Sequence, residues 1–229
     1  MLADADQNAT MYTAYTPVYY VYVAQKSTPE RIMAAARKLL DREGSDAVTM
    51  RRVAKGVGIT PMALYRHVLN RDDLLNILAD AGFADLAARL ADSSQFLNPE
   101  KRLLQILDVF LDFAFDRPRM FELMFLERRP GARQYPRDFR DGKSPTAKFF
   151  AAAVEAGIKQ KILRVDDVWE VVFEMGAILH GLVMLYIGGR VEMPQEDFRS
   201  LCHRTFRRYL NGIRDSPGPP ASRSACAGG

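Results

Sequence analysis

Apolar residues recur at every third or fourth position in nearly every segment between residues 28 and 213, and a capping residue, a proline or a glycine punctuates each segment. A strand needs apolar residues at every second position, so this spacing leaves little except a packed array of helices. Thr28 and Pro29 predict the cap and first helical position of a helix whose stripe is Ile32, Ala35, Ala36, Leu39 and Leu40, ending at Gly44. Thr49 can cap a second helix, with Val53, Ala54 and Val57 inward and Gly58 closing it. Thr60 can cap a third with Pro61 at its first position; Ile59 before the cap can staple onto Leu64, and Val68 completes the inner side. Asn70 and Asp73 resemble a capping box at the start of a fourth helix that reaches about Leu90. Further helices are predicted at 99–116, 118–126, 145–156, 167–187 and 195–213, and the prolines and glycines of 127–145 predict a loop. The expected fold class is therefore all-α.

A chain of 229 residues with 48% hydrophobic and 26% charged residues can bury one large core or divide into a small and a larger domain. Four stretches are expected: a flexible tyrosine-rich arm at 1–27, a helix-turn-helix domain at 28–75, a larger helical domain at 76–214 and a disordered tail at 215–229. The arm holds five of the nine tyrosines, and Met11 offers an alternative start within it. Two cysteines, Cys202 and Cys226, cannot form a disulfide framework and suggest a reducing, cytoplasmic setting. The apolar run at 175–189 is interrupted by His180 and preceded by Glu170 and Glu174, which points to a buried helix and to no membrane partner. Among Cys, His and acidic residues no zinc-like spacing occurs, so neither a metal nor another cofactor is expected.

The second and third helices, joined through Gly58 and Ile59, have the form of a helix-turn-helix. Leu64 and Val68 fix the inner side of the third helix, so Met62 and Arg66, four residues apart, must face away, with Ala63 and Tyr65 on the flanks. That open face is compact at its start and hydrogen-bonding at its end, as a helix entering a major groove requires. Between residues 28 and 71 there are nine Lys and Arg against four acids, a surplus larger than the +4 of the whole chain. A polyanionic partner fits this distribution.

The run TMRRVAKGVGITPMALYRHVLNRDDLL resembles the DNA-binding region of the TetR family of bacterial transcriptional regulators. The resemblance covers residues 28–75 and implies a homodimer with three N-terminal helices for operator DNA and a C-terminal helical domain for dimerisation and a small effector. Carried over by position, phosphate contacts fall on Thr49, Arg51, Tyr65, His67 and Arg71, and groove-facing positions on Thr60, Pro61, Met62, Ala63 and Arg66. Each keeps a structural alternative: Tyr65 can pack over the supporting helix, His67 can be a capping or solvent-facing residue, and Thr49 is a cap in either case.

The helix at 167–187 carries two apolar stripes: one of Val168, Val172, Met175, Leu179, Leu182 and Tyr186, the other of Trp169, Phe173, Ala177, His180 and Met184. Such a helix should lie between two neighbours. With the last helix it is the expected dimer contact, through Leu182, Phe198, Leu201, Thr205, Phe206 and Tyr209. An aromatic interior formed by Phe110, Phe113, Phe121 and Phe125, facing Trp169, Phe173, His180 and Met184, is the expected effector site; a packed core is the alternative.

No nucleophile with an adjacent base, no Glu-x-x-His motif and no phosphate-cradling glycine loop is present, so catalysis is not expected. The function expected is a repressor released by a small apolar or aromatic effector. The alternative is a DNA-binding protein of the same fold that is controlled by a protein partner or organises chromosomal DNA.

Overall fold

The computed structural model describes residues 27–92 and 97–215, and among these every regular element is helical. The N-terminal arm, most of the C-terminal tail and Cys226 fall outside the described residues. Helix α1 spans Thr28–Glu43, and its cap is Ser27 rather than Thr28. The Ser27 side chain accepts from the Glu30 backbone N–H while the Glu30 carboxylate accepts from the Ser27 N–H, a reciprocal capping box one residue earlier than the Thr-Pro pair suggests. After a single 3-10 turn at Ser45–Ala47, α2 spans Met50–Val57 and α3 spans Pro61–Leu64. Gly58 takes φ +78° at the end of α2, a left-handed conformation that glycine adopts without a Cβ penalty, and this sets the turn into α3.

Helix α4, Arg71–Ala91, leaves this small domain and runs along the larger one. It is followed by α5 (Pro99–Asp116) and by α6 (Pro118–Phe121), which continues as a stretch of π-helix over Glu122–Leu126. The predicted loop contains a short helix, α7 (Arg137–Arg140), built around the buried Asp138. Its carboxylate accepts from the Gln134 backbone N–H and pairs with Arg137 and Lys143, which hold its pKa far below the usual carboxylate range. Helices α8 (Ala147–Lys159), α9 (Val168–Ile187) and α10 (Gln195–Gly212) complete the larger domain.

Packing unites the two domains along α4. Leu74, Leu75, Leu78, Ala79, Phe83, Leu86 and Leu90 bury its inner side, while α1, α5 and α6 pack against it. Asp85 of α4 meets three guanidinium groups: Arg117 at 2.5 Å, Arg89 at 3.6 Å and Arg37 of α1 at 4.0 Å. One carboxylate therefore ties the DNA-side helix α1, the long α4 and the start of α6.

Helix α9 is long and apolar enough to cross a membrane by length and composition alone, longer than the interrupted run at 175–189 suggests. In the fold its Val171, Val172, Met175, Leu179 and Val183 enter the core, and α8, α10 and α5 pack against it. Its other side is open, with Phe173, Ala177, Met184 and Leu185 exposed and Gly181 half-buried between them.

Candidate nucleic-acid interface and internal cavity

Two threonine caps and a glycine turn build the N-terminal site. Thr49 Oγ1 accepts from the Arg52 N–H at 3.3 Å, and Thr60 Oγ1 accepts from the Ala63 N–H at 3.1 Å. Each hydroxyl accepts in its cap, so its own proton stays available to an external acceptor such as a phosphate oxygen. Leu64 and Val68 are buried beneath α3, whereas Pro61, Met62, Tyr65, Arg66 and His67 face solvent. Met62 is 72% exposed, too much for a large apolar side chain to be packed at all, so it stands ready for contact outside the chain. After Leu64 the backbone tightens: the Arg66 N–H donates to Ala63 O at 3.3 Å and the His67 N–H to Leu64 O at 2.9 Å. The recognition element is thus one helical turn followed by a 3-10-like turn that presents Tyr65, Arg66 and His67.

Of the nine cations of this region Lys38, Arg42 and Lys55 are exposed, and the other six divide into two groups. Arg31 donates to the Val57 carbonyl at 2.5 Å, and Arg52 forms a two-pronged pair with Glu43 at 2.9 and 2.6 Å, which lowers the Glu43 pKa. Arg37 lies beside Asp85. Arg71, expected to bind phosphate, donates from Nε to the Val48 carbonyl at 3.0 Å and from a terminal nitrogen to the Ser45 carbonyl at 2.7 Å. The Arg71 guanidinium braces the turn between α1 and α2 and is half-buried there, so a phosphate contact would fall to the donors that the brace leaves over. Arg51 and Arg66 are exposed, and neither has a hydrogen-bond or ion-pair partner among the described residues.

The larger domain encloses a cavity of about 230 Å³ between α4, α5, the π-helical stretch, the 127–145 segment, α8 and α9. Of the eight expected effector residues, Phe110, Phe125 and His180 line it. Five do not. Phe113 and Phe121 are fully buried core residues outside the lining, with the Arg89 guanidinium over the Phe113 ring at 5.4 Å. Trp169 is half-buried away from the cavity, Phe173 stacks on Tyr135 at 4.2 Å on the surface, and Met184 is exposed. The lining that sequence reasoning missed comes mostly from the 127–145 segment and the start of α8: Arg129, Arg133, Phe139, Ser144, Thr146 and Phe150. The four from the 127–145 segment lie outside any predicted helix, and for Thr146 and Phe150, at the start of a predicted one, the period did not tell which side faces the cavity.

His180 sits among rings, 4.6 Å from the Phe125 centroid and 5.5 Å from that of Phe110. Burial in this apolar cage pushes its pKa down to about 4, so the imidazole is neutral at physiological pH and offers one donor and one acceptor. Among the described residues nothing hydrogen-bonds to its ring. Arg129 and Arg133 strap the cavity wall to α4. Arg129 donates to Asn76 Oδ1 at 2.8 Å, Asn76 Nδ2 donates to the Pro130 carbonyl at 2.8 Å, and Arg133 donates to Asp80 Oδ1 at 2.9 Å.

The expected dimer contacts also divide. Phe198 and Phe206 are fully buried within the protomer, Phe198 stacked on Tyr186 at 4.2 Å, and cannot form an interface. Leu182, Leu201, Thr205 and Tyr209 are half-buried at the border of the outer surface. Period alone could not tell which apolar stripe faces inward.

A capped helix-turn-helix with an open basic and apolar face, carried on a helical domain, defines a helix-turn-helix transcriptional regulator. The chain belongs to the TetR family: residues 32–78 match bacterial regulatory proteins of the tetR family, and residues 103–209 match the tetracyclin repressor-like C-terminal domain. It is similar to the uncharacterized HTH-type transcriptional regulator YobS of Bacillus subtilis, 27% identical over 100 residues, which are 44% of this chain and 52% of the relative. An HTH-type transcriptional regulator of Mycobacterium tuberculosis is 24% identical over 147 residues, 63% of each chain. The chain thus spans about half to three-fifths of the length of these relatives. Two solved structures share the fold. A protein of unknown function from Rhodococcus sp. RHA1 has TM-score 0.69 and 21% identity over 84% of this chain and 98% of its own. FadR from Bacillus subtilis, solved with stearoyl-CoA, has TM-score 0.64 and 14% identity over 81% and 99%.

Proposed function

We propose that this regulator is a cytoplasmic, homodimeric repressor that leaves its operator when a small molecule fills the internal cavity. The observation that carries the reading is the double strap between the cavity wall and α4, Asn76 to Arg129 and Pro130 and Asp80 to Arg133. Helix α4 begins at the Arg71 brace of the DNA-binding domain and passes the cavity at Phe83, so an occupant that moves the wall moves the lever. Two recognition elements reach successive major grooves only when about 34 Å apart, so a small pivot suffices to lose the operator. Linkage then requires the effector to bind the DNA-bound form more weakly, by about 1 to 3 kcal/mol in typical coupled systems.

Within the DNA interface, Thr49, Arg51, Tyr65 and His67 hold phosphates, while Met62, Ala63 and Arg66 read base edges from a helix started by Thr60 and Pro61. Apolar Met62 and Ala63 suit thymine methyls, and Arg66 suits guanine. Dimerisation uses the open face of α9, where Phe173, Ala177, Gly181, Met184 and Leu185 form a stripe at helical spacing that a monomer would leave in water. Selection of randomised duplexes with the purified protein tests the reading. It should enrich an inverted repeat with half-sites a whole number of turns apart, and failure to enrich any sequence would remove it.

A further inference from the structure

We infer that the cavity takes a small aromatic carboxylate, with Arg129 and Thr146 receiving the carboxylate and the phenylalanine cage receiving the ring. This rests on the cavity's being the effector site and adds the chemistry of its occupant.

Arg129 is the first ground. Its side chain makes three hydrogen bonds, to the carbonyls of Leu123 at 2.9 Å and Met124 at 3.3 Å and to Asn76 Oδ1 at 2.8 Å. All three acceptors are neutral, and burial lowers its pKa from the ordinary arginine value, the sign of a cation short of direct compensation. A guanidinium has five N–H groups and remains charged in any protein, so two donors are left for a planar anion. The acids nearby compensate weakly: Asp80 is spent on Arg133 and is 64% exposed, and Glu127 on the rim makes no ion pair with Arg129.

Thr146 is the second and independent ground. It is 95% buried, since its relative exposure is 5%, it lines the cavity, and among the described residues its hydroxyl has no hydrogen-bond partner. A hydroxyl so placed is free to donate to or accept from an occupant of the cavity. It stands at the N-terminus of α8, a helix of 13 residues whose dipole favours negative charge near its start, although the Ala147 and Phe149 N–H groups already donate to Ser144 Oγ and Thr146 O. Phe83, Phe110, Phe125, Phe139 and Phe150 with neutral His180 also line the cavity. Rings in such a cage meet an aromatic guest edge to face, and about 230 Å³ suits one ring with a short side chain.

Calorimetric titration of the full chain with benzoate and phenylacetate, against the isosteric benzamide and phenylacetamide and the cation benzylamine, tests the inference. At least one carboxylate should bind ten or more times tighter than its amide. Arg129→Gln should cut that ratio below threefold, and Thr146→Val should weaken the acid with little effect on the amide. Arg129→Lys, which keeps the charge but not the fork, should hold a ratio between those of wild type and Arg129→Gln and guards against a merely misfolded Gln variant. Equal binding of acid and amide, preference for benzylamine, absence of binding by every probe, or a ratio unchanged in both variants overturns it. Amides that bind and loosen operator DNA would remove the carboxylate while leaving the effector site standing. An acid bound with the stated preference but without effect on operator affinity would do the reverse.

Discussion

Arg71 Nε donates to the Val48 carbonyl at 3.0 Å, across 23 residues of sequence, and joins the start of α4 to the end of the turn before α2. A second donor of the same guanidinium reaches Ser45 O, and Asp46 lies 3.7 Å away. The planar fork spans two carbonyls at once, which a lysine ammonium on a flexible stem cannot reproduce. Arg71→Ala should therefore lower stability by about 1 to 3 kcal/mol, since hydrogen bonds to charged groups contribute roughly 1.5 to 3 net and this side chain is 38% exposed to competing water. Arg71→Lys should recover little of it. Urea unfolding of both variants at an unchanged midpoint would show that the brace contributes nothing.

The unengaged arginines should behave differently. Arg51→Ala removes an exposed cation with no partner among the described residues, so unfolding should be unaffected while the slope of log K against log salt becomes shallower by about 0.9. All DNA sequences should weaken alike.

Arg66→Ala should instead cost about 1 to 3 kcal/mol on the selected operator and little on unrelated duplex. Competition titration of operator against scrambled DNA reads the difference. A uniform loss would make Arg66 a phosphate contact.

Where local chemistry decides, the sequence was legible. Thr49, Gly58, Thr60 and Pro61 each act through their own backbone neighbours, and the turn they specify is the turn observed. The 127–145 segment was not legible, because its order comes from distant pairs such as Arg133 with Asp80 and from the Asp138 hub rather than from a period. The stripes of α9 and α10 were visible as apolar but not as inward or outward. Phe198 and Phe206 went to the core, and Phe173 and Met184 to the surface, because the partner helix in the same chain decides which side is covered.

That sorting makes a paired prediction. Met184→Asp places a charge on the open face of α9, where Met184 is 50% exposed, so the protomer should keep its helicity and sediment as a monomer. Phe206→Asp buries an unpaired carboxylate at a site 1% exposed and should unfold the protein, by 3 kcal/mol or more on the order of a buried unpaired charge. Sedimentation with circular dichroism separates the two outcomes. A Met184→Asp dimer would move the interface elsewhere.

The depressed His180 gives a pH dependence of definite sign. Its pKa falls from 6.5 to about 4 because the Phe110, Phe121 and Phe125 rings surround it and desolvate the imidazolium. Between these two values the unfolded chain binds more protons than the folded one, so stability must fall as pH drops from about 6.5 towards 4 and be constant in this respect above 6.5. The paired carboxylates Asp138 and Asp167 have lowered pKa values and lose their contribution only as pH passes below their ordinary 3.8, so they do not act in the upper part of this window. His180→Phe replaces the titrating ring by one of similar shape in a cage of phenylalanines. The stability difference between wild type and His180→Phe, measured by urea unfolding, should shift against the wild type by about 2 kcal/mol from pH 7 to pH 5. A difference that stays constant across that range would mean the imidazole is not desolvated in the folded protein, and the apolar cage around it would have to be abandoned.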